Sequence, residues 1–328
     1  MVRFPESARM VMRRLLGRDV QLSGVSPVSG GSINETYRLD TSEGPFFLKR
    51  KRRAPAGFFA CEARGLGQLR QAGAKVPAVI GWIDAGSPDA EELAAAGDDS
   101  AFLLMEWLEK APWSSRTMED LGRGLAAVHR SATVQRQGED HARDHARQKE
   151  EAGYGLHGDN FIGELAQPNR FMDDWAEFYG QFRLKPQWEL GLRNGTIAPG
   201  SDRARRLEYV IRHVDRWIPR RPGVSVLHGD LWAGNAMAAR GAGDADPAPY
   251  LLDPSAYFGH HEVDLAFSEY FGGFSPSFYS AYREVFPWDE SYRERKPLYQ
   301  LYYILVHLNL FGEAYGADAD AILRRYAP

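Results

Sequence analysis

The chain has 328 residues, enough for two domains and large apolar cores without metal or disulfide staples. Apolar residues make up 44% and charged residues 26%, excluding wholesale disorder, and 40 Lys+Arg against 44 Asp+Glu leave no basic footprint for nucleic acid. No apolar run reaches the ~18–20 residues of a membrane span, and the single Cys61 excludes an intrachain disulfide or a cysteine-built zinc site.

The arginine-rich start, Met1–Leu16, carries no signal-type apolar stretch, so a cytoplasmic location is expected. Short apolar or alternating segments at 21–28, 33–40 and 45–50, separated by Gly, Ser and Pro, predict strands. Phe58–Ala72 lacks proline and stops before Gly73, which predicts a helix. Two further strands are expected at 79–85 and 101–105, with an acidic turn around Asp89–Asp99 between them. After Glu106-Trp107-Leu108 the pattern changes to long helices at 117–130, 171–183, 202–217, 263–271 and 292–311. The expected architecture is α+β and two-lobed. Residues 1–108 form a small β-rich lobe with one key helix, and 109–328 a larger, mainly helical one. His141 and His145, at i, i+4 spacing in a charge-dense stretch, read as a solvated helix face and not as a metal site.

The chemistry is carried first by Leu227-His228-Gly229-Asp230-Leu231-Trp232-Ala233-Gly234-Asn235. An Asp followed five residues later by an Asn has the spacing of a phosphotransferase loop. The Asp accepts a hydroxyl proton and the Asn oxygen holds Mg²⁺. Asp253 follows the apolar run Tyr250-Leu251-Leu252, placed to give the cation a second hard oxygen ligand. Upstream, Gly30, Gly31, Ser32 and Asn34 form a loop whose backbone can approach phosphates. Lys49 ends the next strand and Glu62 lies 13 residues later in the helix, as in the nucleotide clamp of kinases. Taken singly, each residue also fits an ordinary hairpin, surface lysine or solvated glutamate. Their common order points to an ATP-dependent kinase fold. Only 11 residues separate Asp253 from Asp264, little room for a peptide-docking activation segment, so a small-molecule hydroxyl is the expected acceptor.

Several stretches together resemble the fructosamine kinase family, within the aminoglycoside phosphotransferase-like group. They are Gly30–Asn34, Phe47-Leu48-Lys49, Glu62–Leu66, the His228–Asn235 loop, Asp253–Ala266 and the tail from Leu298 to Phe311. Gly158–Gly163 with Asp174-Trp175 resembles that family's C-lobe insert. The resemblance implies ATP and Mg²⁺ as cofactors, with Lys49 on phosphates, Glu62 orienting it, and the Glu106, Trp107 and Leu108 backbone on adenine. It implies Asp230 as base, Asn235 and Asp253 on the metal, and an acceptor site near Asp159, Asn160 and Trp232. Trp232 could equally brace the loop from the core. His260 and Asp264 are expected to brace the site, and the aromatic tail to pack in the core. The implied reaction phosphorylates the 3-hydroxyl of a small ketosamine, leading to deglycation. The alternatives are a kinase of an aminoglycoside- or choline-like hydroxyl, or a nucleotide-binding module without catalysis. No nucleic-acid or membrane partner is expected. Many relatives carry cysteine where this chain has Ser32, so no disulfide-linked dimer is expected, and Cys61 is expected to face inward as a small buried hydrophobe.

Overall fold

The computed structural model describes residues 4–29, 34–138 and 153–328. Helix α1 (Phe4–Leu16) buries Ala8, Val11 and Met12 on one face, with Leu15 continuing the i, i+3, i+4, i+7 stripe. Strands β1 (Leu22–Pro27), β2 (Glu35–Thr41) and β3 (Gly44–Arg52) follow, then helix α2 (Phe58–Gln71). Strand β4 (Val79–Ile83), helix α3 (Pro88–Ala95) and strand β5 (Ser100–Glu106) complete this half. The five strands form one antiparallel sheet in the order β1-β2-β3-β5-β4.

Side-chain alternation splits this sheet between two cores. Leu48, Phe102 and Leu104 face a small cluster under α1 and α3, whereas Phe47, Leu103 and Met105 face the main core containing α2. Lys49 has the parity of Phe47 and pairs with Leu103 across the ladder, so its side chain is delivered to the α2 side.

Helix α3 replaces the turn expected at 89–99. Ser87 accepts a hydrogen bond from the Ala90 N–H and Pro88 occupies the first turn, so an acidic stretch that reads as a loop is a capped helix. With α1 and α3, three helices stand among the described residues of this half where the sequence pattern indicates one.

The chain then forms β6 (Glu109–Lys110) and α4 (Ser115–Gly138). A hairpin of β7 (Asn160–Ile162) and β8 (Leu165–Gln167) precedes α5 (Trp175–Tyr179), which runs through a π turn at Gly180–Leu184 into α6 (Lys185–Asn194). Next come α7 (Asp202–Arg212), β9 (Ser225–Leu227), β10 (Ala236–Arg240), β11 (Ala248–Leu251) and β12 (Tyr257–Gly259). Helices α8 (Glu262–Tyr270), α9 (Pro276–Val285), α10 (Tyr292–Phe311) and α11 (Gly316–Tyr326) close the chain. Strand β6 joins β10 and β11, and β9 pairs with β12, so the segment after Leu108 is already stitched to the helical half. Helix α9 was not foreseen; α4 can press against it because residue 122 is glycine, where a Cβ would meet the Phe278 carbonyl at 2.2 Å. Helix α10 is buried over most of its circumference and forms the spine of this half. No helix among the described residues is long and apolar enough to cross a membrane.

Candidate active site

A cleft of about 560 Å³ runs between the sheet and the helical half. At one end Lys49 is buried, and its ammonium lies 2.6 Å from the Glu62 carboxylate and hydrogen-bonds to Asp253. Burial works against the lysine charge, yet Asp253 and Glu62 together hold its pKa above the usual lysine value. Burial raises the Glu62 carboxyl against the pull of Lys49.

Helix α2 has no local side-chain cap, because Gly57 precedes it in a left-handed conformation. Asp84 supplies the cap from the end of β4, accepting the Phe59 and Ala60 N–H groups at 2.9 and 2.8 Å. A Cβ on Gly65 would lie 3.2 Å from Pro254 and 3.3 Å from Ala256, so α2 packs directly on the segment following Asp253. Gly65→Leu is expected to push the helix away and raise KM for ATP at least severalfold, read by steady-state kinetics. An unchanged KM would show that the helix does not need this contact to hold Glu62 on Lys49.

The loop after β9 is held by its backbone. Asp264, in the first turn of α8 and fully buried, accepts the His228 N–H at 2.7 Å and the Gly229 N–H at 2.9 Å. Its third partner is His129 of α4, whose other ring nitrogen meets the Tyr282 hydroxyl. His228 donates from Nε2 to the Leu252 carbonyl and accepts the Asp230 N–H at Nδ1, tying the loop to the residue before Asp253. Burial lowers its pKa, consistent with that neutral tautomer. Gly229 has φ of +79° and a Cβ there would meet the Ser255 carbonyl at 2.1 Å, which is why no side chain fits between His228 and Asp230. Tyr303 of α10 donates to the Gly229 carbonyl, so the aromatic tail helix is core and also a support for the loop.

Asp230 is half-buried and lines the cleft, where burial lifts its carboxyl to about 7. Asn235 pulls the other way by donating to the Asp230 carboxylate at 3.0 Å, while the charges of Asp253 and Asp264 push it up. The Asn235 amide nitrogen is thus engaged, leaving its oxygen as a potential ligand. Asp253, with φ of +52°, presents a half-exposed carboxylate to the same space. Two hard oxygen donors beside a third carboxylate fit a magnesium ion by their chemistry. Asn34 also lines the cleft, and its buried Oδ1 has no hydrogen-bond partner among the described residues.

The other expected residues divide between the cleft and its surroundings. Gly30, Gly31 and Ser32, and likewise His141 and His145, fall outside the described residues. Glu106 exchanges hydrogen bonds with the Ala78 backbone, Trp107 carries Arg38 over its ring, and Leu108 packs with Ala239 and Tyr250; none of the three lines the cleft. Asp159 is exposed, and its carboxylate accepts the Asn169 N–H at 2.8 Å. Asn160 lines the cleft, but its amide is committed to the Ala256 carbonyl, Gln167 and Asn169. Trp232 is exposed and folds over Gly234, where a Cβ would meet its ring at 2.2 Å. Cys61 corrects the expectation of a buried thiol: it is half-buried on the cleft wall, 3.6 Å from the Asp159 carbonyl, its pKa raised by burial.

Sequence reasoning missed a layer behind Asp253. Gln167 and Asn160 donate to the Ser255 and Ala256 carbonyls, Tyr302 donates to Gln167, and Asn169 donates to Asn160. Arg183, fully buried in the π turn, donates to Asn169 and stacks 3.8 Å over Tyr257. The family resemblance touches this layer at Gly158–Gly163, while the π turn that carries Arg183 is visible in the structure and not in the sequence.

A buried lysine clamped by a helix glutamate faces an Asp-x₄-Asn loop and a metal-competent Asp across one cleft, which defines a two-lobed α+β kinase fold. Residues 5–327 match the fructosamine kinase family, and the chain belongs to it. A protein named probable ketoamine kinase from Enterococcus faecium is 34% identical over 94% of this chain and 97% of its own. The chloroplastic protein-ribulosamine 3-kinase of Oryza sativa subsp. indica is 32% identical over 94% of this chain and 80% of its own. A crystal structure described provisionally as a fructosamine-3-kinase from Thermobifida fusca superposes with a TM-score of 0.77, at 31% identity and 97% coverage of each chain.

Proposed function

We propose that this chain transfers the γ-phosphoryl group of ATP to the 3-hydroxyl of a small ketosamine. The observation that carries the reading is the convergence of Lys49, Glu62 and Asp253 with Asp230 and Asn235 on one cleft, in a chain of the fructosamine kinase family. The rice relative, named a protein-ribulosamine 3-kinase, and the fructosamine kinase family itself support this substrate class.

Lys49, neutralised by two carboxylates in the resting structure, exchanges Asp253 for phosphate oxygens when nucleotide enters. Glu62 keeps its grip and holds the ammonium in place. Asn235 and Asp253 would hold Mg²⁺, which would supply charge neutralisation to the transferring phosphate. Asp230 takes the proton of the acceptor hydroxyl, and Asn235 orients its carboxylate. The 3-phosphate product is unstable and releases the amine, which amounts to deglycation. The lobes divide at residue 108, after which β6 pairs with β10.

The test is an acceptor panel of ribulosamines, fructosamines, an aminoglycoside and choline with ATP and Mg²⁺, following ADP release and the phosphorylated product. Turnover with ketosamines alone is the expected result; phosphorylation of the aminoglycoside or choline in their place overturns it. Lys49→Met should raise KM for ATP and cut kcat by about 10²-fold or more, and Asp253→Asn should raise the Mg²⁺ requirement. Unchanged kinetics of both at limiting ATP and Mg²⁺ would dismantle the clamp.

A further inference from the structure

Among the described residues, four large apolar side chains are conspicuously exposed: Trp82, Trp232, Phe271 and Phe311. Three of these, at 39, 43 and 55% exposure, line the one cleft. Isolated exposed hydrophobics carry no message, but these are joined ring to ring. Trp232 stands 6.1 Å from Phe271, Phe271 5.1 Å from His307, and His307 5.6 Å from Phe311 and 5.0 Å from Tyr315. The wall begins at Trp232, two residues from Asp230 in the loop, and continues ring to ring through Phe271 and His307 to Phe311 and Tyr315.

The charged side chains of the cleft, Lys49, Glu62, Asp230 and Asp253, all belong to the phosphate end. Along the aromatic wall no Lys, Arg, Asp or Glu lines the space among the described residues. Glu313, in the turn between Phe311 and Tyr315, is tied to Arg203 at 2.6 and 2.8 Å.

We propose that this wall is a subsite for the substituent on the acceptor nitrogen, selecting ketosamines whose amine carries an apolar chain or ring over those whose amine carries a carboxylate. The inference rests on the ketosamine reading above. With the 3-hydroxyl at Asp230, the ketosamine nitrogen stands at the far end of C3–C2–C1, and its substituent extends beyond the sugar. A secondary ammonium is cationic at neutral pH and is attracted to aromatic faces, and a hydrocarbon beyond it is desolvated against the same rings. A carboxylate there would lose water without meeting a side-chain cation along the wall.

The experiment compares kcat/KM for the ribulosamines of methylamine, hexylamine, benzylamine and glycine at saturating ATP. The hexyl and benzyl compounds should exceed the methyl compound by about tenfold or more, the scale on which an apolar pocket discriminates added hydrocarbon. The glycine compound should fall at or below methyl. Phe311→Ala, at a helix end and already largely exposed, should shrink the hexyl-to-methyl ratio to within about threefold. Equal values across the wild-type series, or preference for the glycine compound, overturn the subsite while leaving the ketosamine reading intact. A folded Phe311→Ala enzyme that keeps the full ratio also overturns it. If Phe311→Ala does not fold, the wild-type series decides alone. No turnover of any ribulosamine, with an aminoglycoside or choline phosphorylated, overturns both readings.

Discussion

Asp230→Ala is expected to lower kcat by about 10²- to 10⁴-fold while leaving ATP affinity within a few-fold of the wild type. The two effects separate because ATP phosphates are assigned to Lys49, which is held by Glu62 and Asp253 independently of Asp230. A loss of this size corresponds to ~3–5 kcal/mol of barrier. Asp230→Asn should lose as much, since it keeps the shape beside Asn235 but has no basic oxygen. The pH dependence follows from the carboxyl lying near 7: the base is protonated below that value, so wild-type kcat/KM should rise with pH through about 7. The residual activity of Asp230→Ala should lack that limb. Stability runs the opposite way. Because the folded-state pKa is raised above the unfolded value of roughly 4, the native state binds more protons between about 4 and 7 and loses stability as pH rises through that window. Asp230→Asn should therefore melt higher than the wild type at pH 8, and gain less at pH 4. An Asp230→Ala enzyme within a few-fold of wild-type turnover would remove this residue from the reaction.

What could be read in the sequence is what depends on local spacing. The short apolar run Phe46-Phe47-Leu48 after Gly44-Pro45 announces a strand, and parity with Phe47 places Lys49 on the face that meets α2. The Asp230-to-Asn235 spacing announces a phosphotransferase loop, and the structure sets the two side chains within 3.0 Å of each other. Helix α1 is hard to read because its apolar stripe is only four residues long and Arg9, Arg13 and Arg14 stand between its members in the sequence. Helix α3 is hidden because acidic residues in a first helical turn look like a turn until the Ser87 cap is seen. The supports of the site were illegible for a different reason: their partners are remote. Asp84 caps α2 from 24 and 25 residues away, and Gln167 reaches Ser255 across 88. No periodicity connects such pairs; only the fold brings them together. Asn160 shows the converse, a polar residue close to the cleft whose hydrogen bonds are spent on the segment behind Asp253.

The largest combined effect on stability and rate is expected at Asp264, which touches neither end of the cleft. Its side chain is fully buried and accepts two successive backbone N–H groups, those of His228 and Gly229, with His129 at 3.1 Å as a third partner. Asp264→Ala would leave all three buried without a partner, and each orphaned buried group costs about 1–3 kcal/mol. The losses share one site and do not simply add, so about 3–5 kcal/mol is expected, the range for breaking a buried pair. Asn at this position keeps one accepting oxygen but sets an amide N–H₂ against a backbone N–H, so Asp264→Asn should fall between wild type and alanine. The catalytic consequence is separable from the stability loss. Released from Asp264, the His228-Gly229 backbone no longer fixes where Asp230 points, and a displacement on the order of 1 Å costs about 10² in rate. At a temperature where circular dichroism shows the variant folded, kcat should fall by that factor while KM for ATP, set at Lys49 and Glu62, moves little. A variant that melts with the wild type and turns over at its rate would mean that the loop holds its shape without this anchor, leaving Tyr303 on the Gly229 carbonyl and His228 on Leu252 as sufficient supports.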